Sequence, residues 1–133
     1  MQKVVHVSGK RKRAVARATA RDGKGVVRIN QLLLEHYEPK MCRMRIEEPL
    51  LLASDVAKKM NIDVNVQGGG FQSQAEAVRL AVARAMVSFS KSKQVRADFL
   101  KYDRHLLVAD VRRNEPHKPN DSKPRAARQK SYR

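Results

Sequence analysis

The stretch Gly68-Gly69-Gly70-Phe71-Gln72-Ser73-Gln74-Ala75-Glu76 lies between a predicted strand and the strongest helix pattern of the chain. Three successive glycines end one element and allow the backbone to turn where side chains would clash. Ser73 offers a side-chain oxygen as the N-cap of the helix, and Glu76, three residues later, completes the capping-box pattern. The stretch therefore predicts a strand, a tight glycine turn and a helix at the centre of the fold.

The residues on both sides of the glycines carry the periodicities of these two elements. Residues 62–67 alternate apolar and polar side chains, which is typical of a half-buried strand. Residues 74–90 form the predicted helix, and residues 91–101 form a shorter one. The apolar face of the long helix has a spacing of three or four residues and consists of Val78, Val82, Ala85 and Phe89.

The N-terminal part of the chain predicts strands. Residues 4–8 and 14–21 are strand-like, and Asp22-Gly23-Lys24-Gly25 is a hairpin turn signal. Residues 26–29 are strand-like beyond that turn. We therefore expect the second and third strands to pair as a hairpin.

The middle of the chain predicts short elements. Asn30 can cap a short helix over residues 32–37. Residues 41–48 alternate in polarity and are interpreted as a strand or an extended connection. Pro49 suits the first position of a helix, which residues 50–60 supply.

Charge is the strongest property of the composition. The 133 residues suit one domain, and they include 29 Lys and Arg against 13 Asp and Glu, for a formal net charge of +16. Such an excess repels itself unless a polyanion neutralises it, and nucleic acid is the first candidate, before an acidic protein or an anionic membrane. Cys42 is the single cysteine, so no intrachain disulfide can form and a reducing compartment fits. No apolar run is long enough to span a membrane.

The cations are concentrated at two places. One is the run at residues 10–13, interpreted as a loop between strands; the other is the polar segment 112–133, which has too few apolar residues to fold alone. Tyr132 adds an aromatic ring that can stack on a base. Solvated, solubilising charge is the alternative for each. The predicted phosphate contacts are Lys10, Arg11, Lys12, Arg13, Arg112, Arg113, Lys118, Lys123, Arg125 and Arg128.

Signals for catalysis, metal or cofactor binding do not emerge from the sequence. The glycine turn lacks the spacing of nucleotide-binding motifs, so it indicates tight packing or close approach to an RNA backbone rather than ATP binding. The histidines are too scattered for a zinc site, and no pair of acids is placed for acid–base work. We therefore expect no enzyme activity, no cofactor and no metal.

Several segments in register resemble the family of the ninth small-subunit ribosomal protein, S-nine. The most specific is Gly68-Gly69-Gly70-x-x-Ser73-Gln74-x-x-Ala77-x-x-x-Ala81-x-Ala83-Arg84-Ala85. Residues 8–16, 26–30, 45–50 and 106–113 match in order, so the resemblance covers essentially the whole chain. The ending Gln129-Lys130-Ser131-Tyr132-Arg133 resembles the archaeal and eukaryotic form of the family, and the lack of a long N-terminal extension favours the archaeal one.

The resemblance implies a two-layer α/β fold like the second domain of ribosomal protein S-five, with a left-handed βαβ crossover. It implies a globular RNA-binding domain over residues 1–109 and an extended basic tail over 110–133. It further implies a structural role in the head of the small ribosomal subunit, in the cytoplasm, bound to the 3′ domain of the ribosomal RNA beside other head proteins. The tail tip, formed by Lys130, Tyr132 and Arg133, is implied to reach the anticodon stem-loop of transfer RNA in the peptidyl site.

Two other functions are compatible with the sequence. A free RNA- or DNA-binding module would have the same basic domain and tail. A small-molecule phosphotransferase is suggested by the glycine turn and by kinases that share the implied fold, but it would need a nucleotide site.

Overall fold

Five strands form one mixed sheet in the order β1-β2-β5-β3-β4. The computed structural model describes residues 3–119, 123–126, 129 and 131–132. The strands are β1 (Val4–Arg11), β2 (Ala14–Asp22), β3 (Val27–Ile29), β4 (Leu32–Leu33) and β5 (Met60–Gln67). β3 is parallel to β5, and the other neighbouring strands are antiparallel.

Four α-helices complete the fold of the described chain. They are α1 (Lys40–Leu52), α2 (Ser54–Ala57), α3 (Phe71–Ser90) and α4 (Lys93–Tyr102), and single 3-10 turns occur at Leu34–His36 and Arg104–Leu106. α3 packs against β1, β2 and β5, and α1 packs against α3. The predicted helices at 74–90 and 91–101 are confirmed as α3 and α4.

Among the residues described, no helix has the length and apolarity that a membrane crossing requires.

The sheet has one buried and one open face, because side chains alternate along each strand. The buried side of β2 consists of Ala14, Ala16, Ala18 and Ala20, and that of β5 consists of Met60, Ile62, Val64 and Val66. The strand predictions for residues 4–8, 14–21 and 62–67 are confirmed.

Small side chains bring α3 very close to the sheet. A Cβ atom on Gly9 of β1 would lie 2.3 Å from the carbonyl oxygen of Ala77 and 2.8 Å from the amide nitrogen of Ala81. Only glycine fits at this crossing. The predicted core positions of α3, Val78, Val82, Ala85 and Phe89, are all buried.

The predicted hairpin between the second and third strands is wrong. β5 lies between β2 and β3, so the turn at residues 22–25 joins two strands that are not neighbours. The side-chain oxygen of Asn61 accepts hydrogen bonds from the backbone N–H groups of Lys24 and Val26. The Gly23 and Gly25 N–H groups donate to backbone carbonyls just before and at the start of β5. These bonds attach the turn to β5, which the local turn signal could not reveal.

The interpretation of residues 41–48 as extended chain is also wrong, since they lie in α1. The buried residues Cys42, Ile46 and Pro49 follow helical spacing and decide the conformation. Pro49 lies in the last turns of α1, not at a helix start. The predicted helix over 50–60 is replaced by the end of α1, the short α2 and the first residue of β5.

The predicted helix over residues 32–37 is a two-residue strand followed by a single 3-10 turn. Asn30 does not cap it. Its backbone has a positive φ of 48°, and its side chain bonds the backbone N–H and C=O of Val66. The side chain is thus used to connect the end of β3 to β5.

The capping box at Ser73 and Glu76 is not formed. α3 begins three residues earlier than predicted, at Phe71, and Gly70 takes the N-cap position without a side-chain hydrogen bond. Gly68 and Gly69 have positive φ values of 79° and 66°, which turn the chain so that the helix can start at once. Glu76 points instead to arginine side chains. The glycine turn itself is confirmed.

Candidate nucleic-acid interface

The hairpin turn between β1 and β2 presents three of the predicted phosphate contacts. Lys10 is the last outward-facing residue of β1. Lys12 and Arg13 form the turn itself, and Lys12 has a positive φ of 52°. The predicted loop is therefore only two residues long, because β1 continues through Arg11. All three side chains are exposed, and none forms an ion pair with a residue in the described part of the chain.

Arg11 has a different environment from its neighbours. Its Nε lies 2.7 Å from a carboxylate oxygen of Glu76, and its Nη1 donates a 3.0 Å hydrogen bond to the Arg112 carbonyl oxygen. Its Nη2 lies 3.5 Å from the carboxylate of Asp110. The Arg11 side chain is only 12% exposed. The guanidinium thus connects β1, α3 and the root of the C-terminal segment.

The C-terminal segment begins with a local turn around Asp110. The Asp110 carboxylate accepts hydrogen bonds from the backbone N–H and the side chain of Arg112. These bonds, with the Arg112 side chain contributing most and Arg11 adding its charge, hold the pKa of Asp110 well below its ordinary value. Asp110 therefore remains ionised and keeps both arginines near the root.

The segment from Arg113 to His117 runs beside the glycine turn. A groove of about 770 Å³ separates it from the main domain. The groove is lined by Lys12, Arg13, Gly69, Gly70, Ser73 and by residues 113–117. The structure thus brings the two predicted basic regions together at the N-terminal end of α3.

The rest of the C-terminal segment is exposed where it is described, apart from the half-buried Pro124. Arg125 pairs with Glu115, with Nε 2.9 Å from a carboxylate oxygen, and this hydrogen bond lowers the pKa of Glu115. Tyr132 is 89% exposed. Lys118 and Lys123 are exposed as well. The predicted contacts Arg128, Lys130 and Arg133 lie outside the described residues.

A second ion-pair cluster joins the helices. Arg79 on α3 lies 2.5 Å from Glu48 on α1 and 3.0 Å from Asp103 after α4. Burial raises the pKa of Asp103, but hydrogen bonds from the His105 N–H and from Arg79 outweigh this effect and lower it overall. Two carboxylates surround the single guanidinium of Arg79, so no positive charge is left over for a phosphate, and we interpret the cluster as structural.

Two other candidate chemistries have no support in the described residues. No group of three or more His, Cys, Asp and Glu side chains there is arranged to hold a metal ion. Cys42 is buried, and burial raises the pKa of its thiol, which disfavours the reactive thiolate.

The open face of the sheet carries cations that are not among the predicted phosphate contacts. Arg17 and Arg21 project from β2, and Arg28 projects from β3. The signal was present in the sequence, because arginines alternate with the buried alanines of β2. Together with the turn and the C-terminal segment, these residues define a small basic α/β protein of the kind that binds nucleic acid.

Comparison with known proteins identifies the family. A sequence model of the family described as Ribosomal protein S9/S16 matches residues 9–133. A protein named "Small ribosomal subunit protein uS9" from Methanococcus maripaludis strain C7 is 50% identical over 133 residues, which cover 98% of this chain and 99% of the relative. The protein of the same name from Methanococcus vannielii has the same identity and coverage. The chain therefore belongs to the ribosomal protein S9/S16 family.

This result confirms the resemblance inferred from the glycine motif and its companion segments. Both relatives are archaeal, which agrees with the interpretation of the chain's ending. The family consists of ribosomal proteins and not of enzymes, so the phosphotransferase alternative is excluded.

Proposed function

We propose that this protein is a structural constituent of the small ribosomal subunit in the cytoplasm, and that it binds the 3′ domain of the ribosomal RNA in the subunit head. The observation that carries the proposal is the near full-length match to archaeal uS9 at 50% identity. The exposed cations of the β1–β2 turn and of the C-terminal segment support it, since phosphates would neutralise them.

The phosphate contacts divide into two groups. Lys10, Lys12 and Arg13, together with Arg113, Lys118 and Lys123, have exposed side chains that form no ion pair within the described chain. Arg112 and Arg125 are paired but are 80% and 86% exposed, so they can exchange a carboxylate for a phosphate at little cost. Arg11 is assigned a structural role in this proposal, because its guanidinium already has three partners in the protein.

The C-terminal end is proposed to reach the anticodon stem-loop of the peptidyl-site transfer RNA. Arg133 would carry that contact with Lys130 in support, and the exposed Tyr132 ring would be available for stacking. A cation held at a fixed place by surrounding RNA attracts transfer RNA through its phosphates without reading sequence.

The fold is proposed to be that of the second domain of ribosomal protein S-five, with a left-handed crossover between β3 and β5. The mixed five-stranded sheet and the connection of two parallel neighbours through α1 and α2 support this assignment.

Co-sedimentation tests the main proposal. We expect the protein to run almost wholly with small subunits after a high-salt wash, because a component embedded in folded RNA does not exchange freely. A protein that stays in the supernatant would instead be a free RNA- or DNA-binding module, and the proposal would be rejected.

A further inference from the structure

The open face of the sheet is polar and uncovered in the described structure. Its central row runs across four strands through His6, Thr19, Asp63 and Arg28, which are register partners. Arg17 lies beside this row on one side and Arg21 on the other. α3 packs against the opposite face, and a shallow depression of about 740 Å³ lies over the centre.

The arginines of this face have no partner within the described residues. Arg17, Arg21 and Arg28 are exposed and form no ion pair or side-chain hydrogen bond there. Lys10 adds a fourth cation at one end, whereas Asp63 is the single carboxylate on the same side of these strands. From strand geometry, Arg17 and Arg21 are about 13 Å apart, and Arg28 lies two strands, or about 10 Å, from β2.

The composition of the face favours a phosphate backbone over a protein partner. Protein interfaces need an apolar or aromatic centre, but here the exposed apolar side chains Val4 and Leu33 lie at opposite edges of the sheet. No Phe, Tyr or Trp side chain stands on the strands of this face, and the His6 ring lies within hydrogen-bond distance of Thr19, so the face offers little for bases to stack on.

We propose that this face is a second docking surface for the sugar–phosphate backbone of folded RNA. Arg17, Arg21 and Arg28 contact phosphates, while the exposed amides of Asn65 and Gln67 reach 2′-hydroxyl groups. The inference rests on the proposed function, which supplies the RNA. It adds a contact over the centre of the sheet to those predicted at the β1–β2 turn and in the C-terminal segment.

Matched charge variants test the proposal. The first carries Arg17→Gln, Arg21→Gln and Arg28→Gln. The control carries Lys93→Gln, Arg96→Gln and Lys101→Gln on α4, where the side chains are equally exposed and unpaired in the described chain. Both lose three positive charges, so a difference between them reports position. Binding to a transcript of the 3′ domain of small-subunit ribosomal RNA is measured at several salt concentrations.

The sheet variant should bind the transcript roughly tenfold or more weakly than the wild type at moderate salt. The slope of log binding constant against log salt concentration should become smaller in magnitude by about 2 to 3, because each lost phosphate contact removes about 0.7 to 0.9. The control should keep a slope close to that of the wild type. A variant with lysine at the same three positions should recover most of the slope.

Two further substitutions guard against misfolding of the triple variant. Asn65→Asp places a negative charge at the centre of the face without removing any packing, whereas Ser88→Asp places one on the exposed side of α3. Only the first should weaken RNA binding.

The outcomes separate the inference from the proposed function. Equal losses in sheet and control variants would mean bulk charge and would overturn the inference alone. Normal RNA binding by the sheet variant, with failure to enter reconstituted subunits, would also overturn it and would indicate an acidic protein partner. Failure of the wild-type protein to bind the transcript would reject the proposed function together with the inference.

Discussion

Arg11 on β1 and Asp110 at the root of the C-terminal segment lie 3.5 Å apart, although 99 positions separate them in the chain. The same guanidinium lies 2.7 Å from Glu76 on α3, and Glu76 also lies 2.6 Å from Arg45 on α1. Four separate parts of the chain therefore meet at one charged cluster.

Replacing Arg11 should free the root of the C-terminal segment. In Arg11→Gln the Asp110 carboxylate and the Arg112 carbonyl lose a charged donor. We therefore expect the free energy of unfolding to fall by about 1 to 3 kcal/mol. Limited proteolysis should cut near residues 112–116 faster than in the wild type. Lys10→Gln is the matched control, because Lys10 is exposed and unpaired in the described chain. Equal cutting of the two variants would contradict the role of Arg11.

Neutralising the turn should weaken RNA binding without loosening the protein. In Lys10→Gln, Lys12→Gln, Arg13→Gln the three exposed cations are lost while Arg11 and its contacts remain. We expect a shallower salt dependence of binding to the 3′ domain transcript, by about 2 to 3 in the log–log slope. An unchanged slope would argue against phosphate contact at the turn.

Acid should weaken the fold through Asp103. Its folded pKa is lowered, so the stability it contributes is present above the unfolded pKa of about 3.9 and is lost as the pH falls through the lower folded value. We expect the urea concentration at the unfolding midpoint of the wild type to decrease once the pH is below about 4. Asp103→Asn should be less stable near neutrality and should lose less on acidification. If the wild type and Asp103→Asn lost the same stability over the acid range, the contribution of Asp103 would be refuted.

Gly9→Ala should destabilise the domain by about 1 to 3 kcal/mol or more, because the new Cβ would overlap the backbone of α3 at Ala77 and Ala81. Gly70→Ala is the control, since nothing lies within 4 Å of a Cβ at that position and its φ of −95° suits any residue. Thermal or urea unfolding of both variants measures the difference. Similar midpoints would show that α3 can move away from β1.

Deleting residues 130–133 should leave subunit assembly largely intact and weaken transfer RNA binding at the peptidyl site. The reason is that the proposed tip contact is lost while the remaining RNA contacts persist. Filter binding of transfer RNA to reconstituted subunits at moderate salt measures the effect. A Lys130→Gln, Arg133→Gln variant compared with Tyr132→Ala separates charge from stacking. Unchanged transfer RNA binding after the deletion would defeat the proposal.

Periodic and local signals were sufficient for much of the fold. The alternation in β2 and β5, the apolar face of α3 and the glycine turn are all consequences of residues next to one another in sequence. The position of β5 between β2 and β3 is not such a property. It is formed by pairing between distant segments, and the Asn61 side chain, which binds the turn after β2 from 35 and 37 residues away, is one of its contacts.

The surroundings of the candidate site residues were predicted less completely, for the same physical reason. Residues 10–13 were grouped as one basic run, but strand geometry sends Lys10 to the open face and Arg11 to the buried one. Glu76 had the right spacing for a capping box, yet two arginines from distant parts of the chain compete successfully for its carboxylate. A pattern of residue types cannot show which partner a side chain obtains.

The attachment of Asp110 and Arg112 to Arg11 has a mechanical consequence. The first residues of the C-terminal segment are bound to Arg11 at the end of β1. Their direction is therefore determined by the orientation of the whole sheet. Any partner that binds the sheet therefore also sets the direction in which the C-terminal segment leaves the domain.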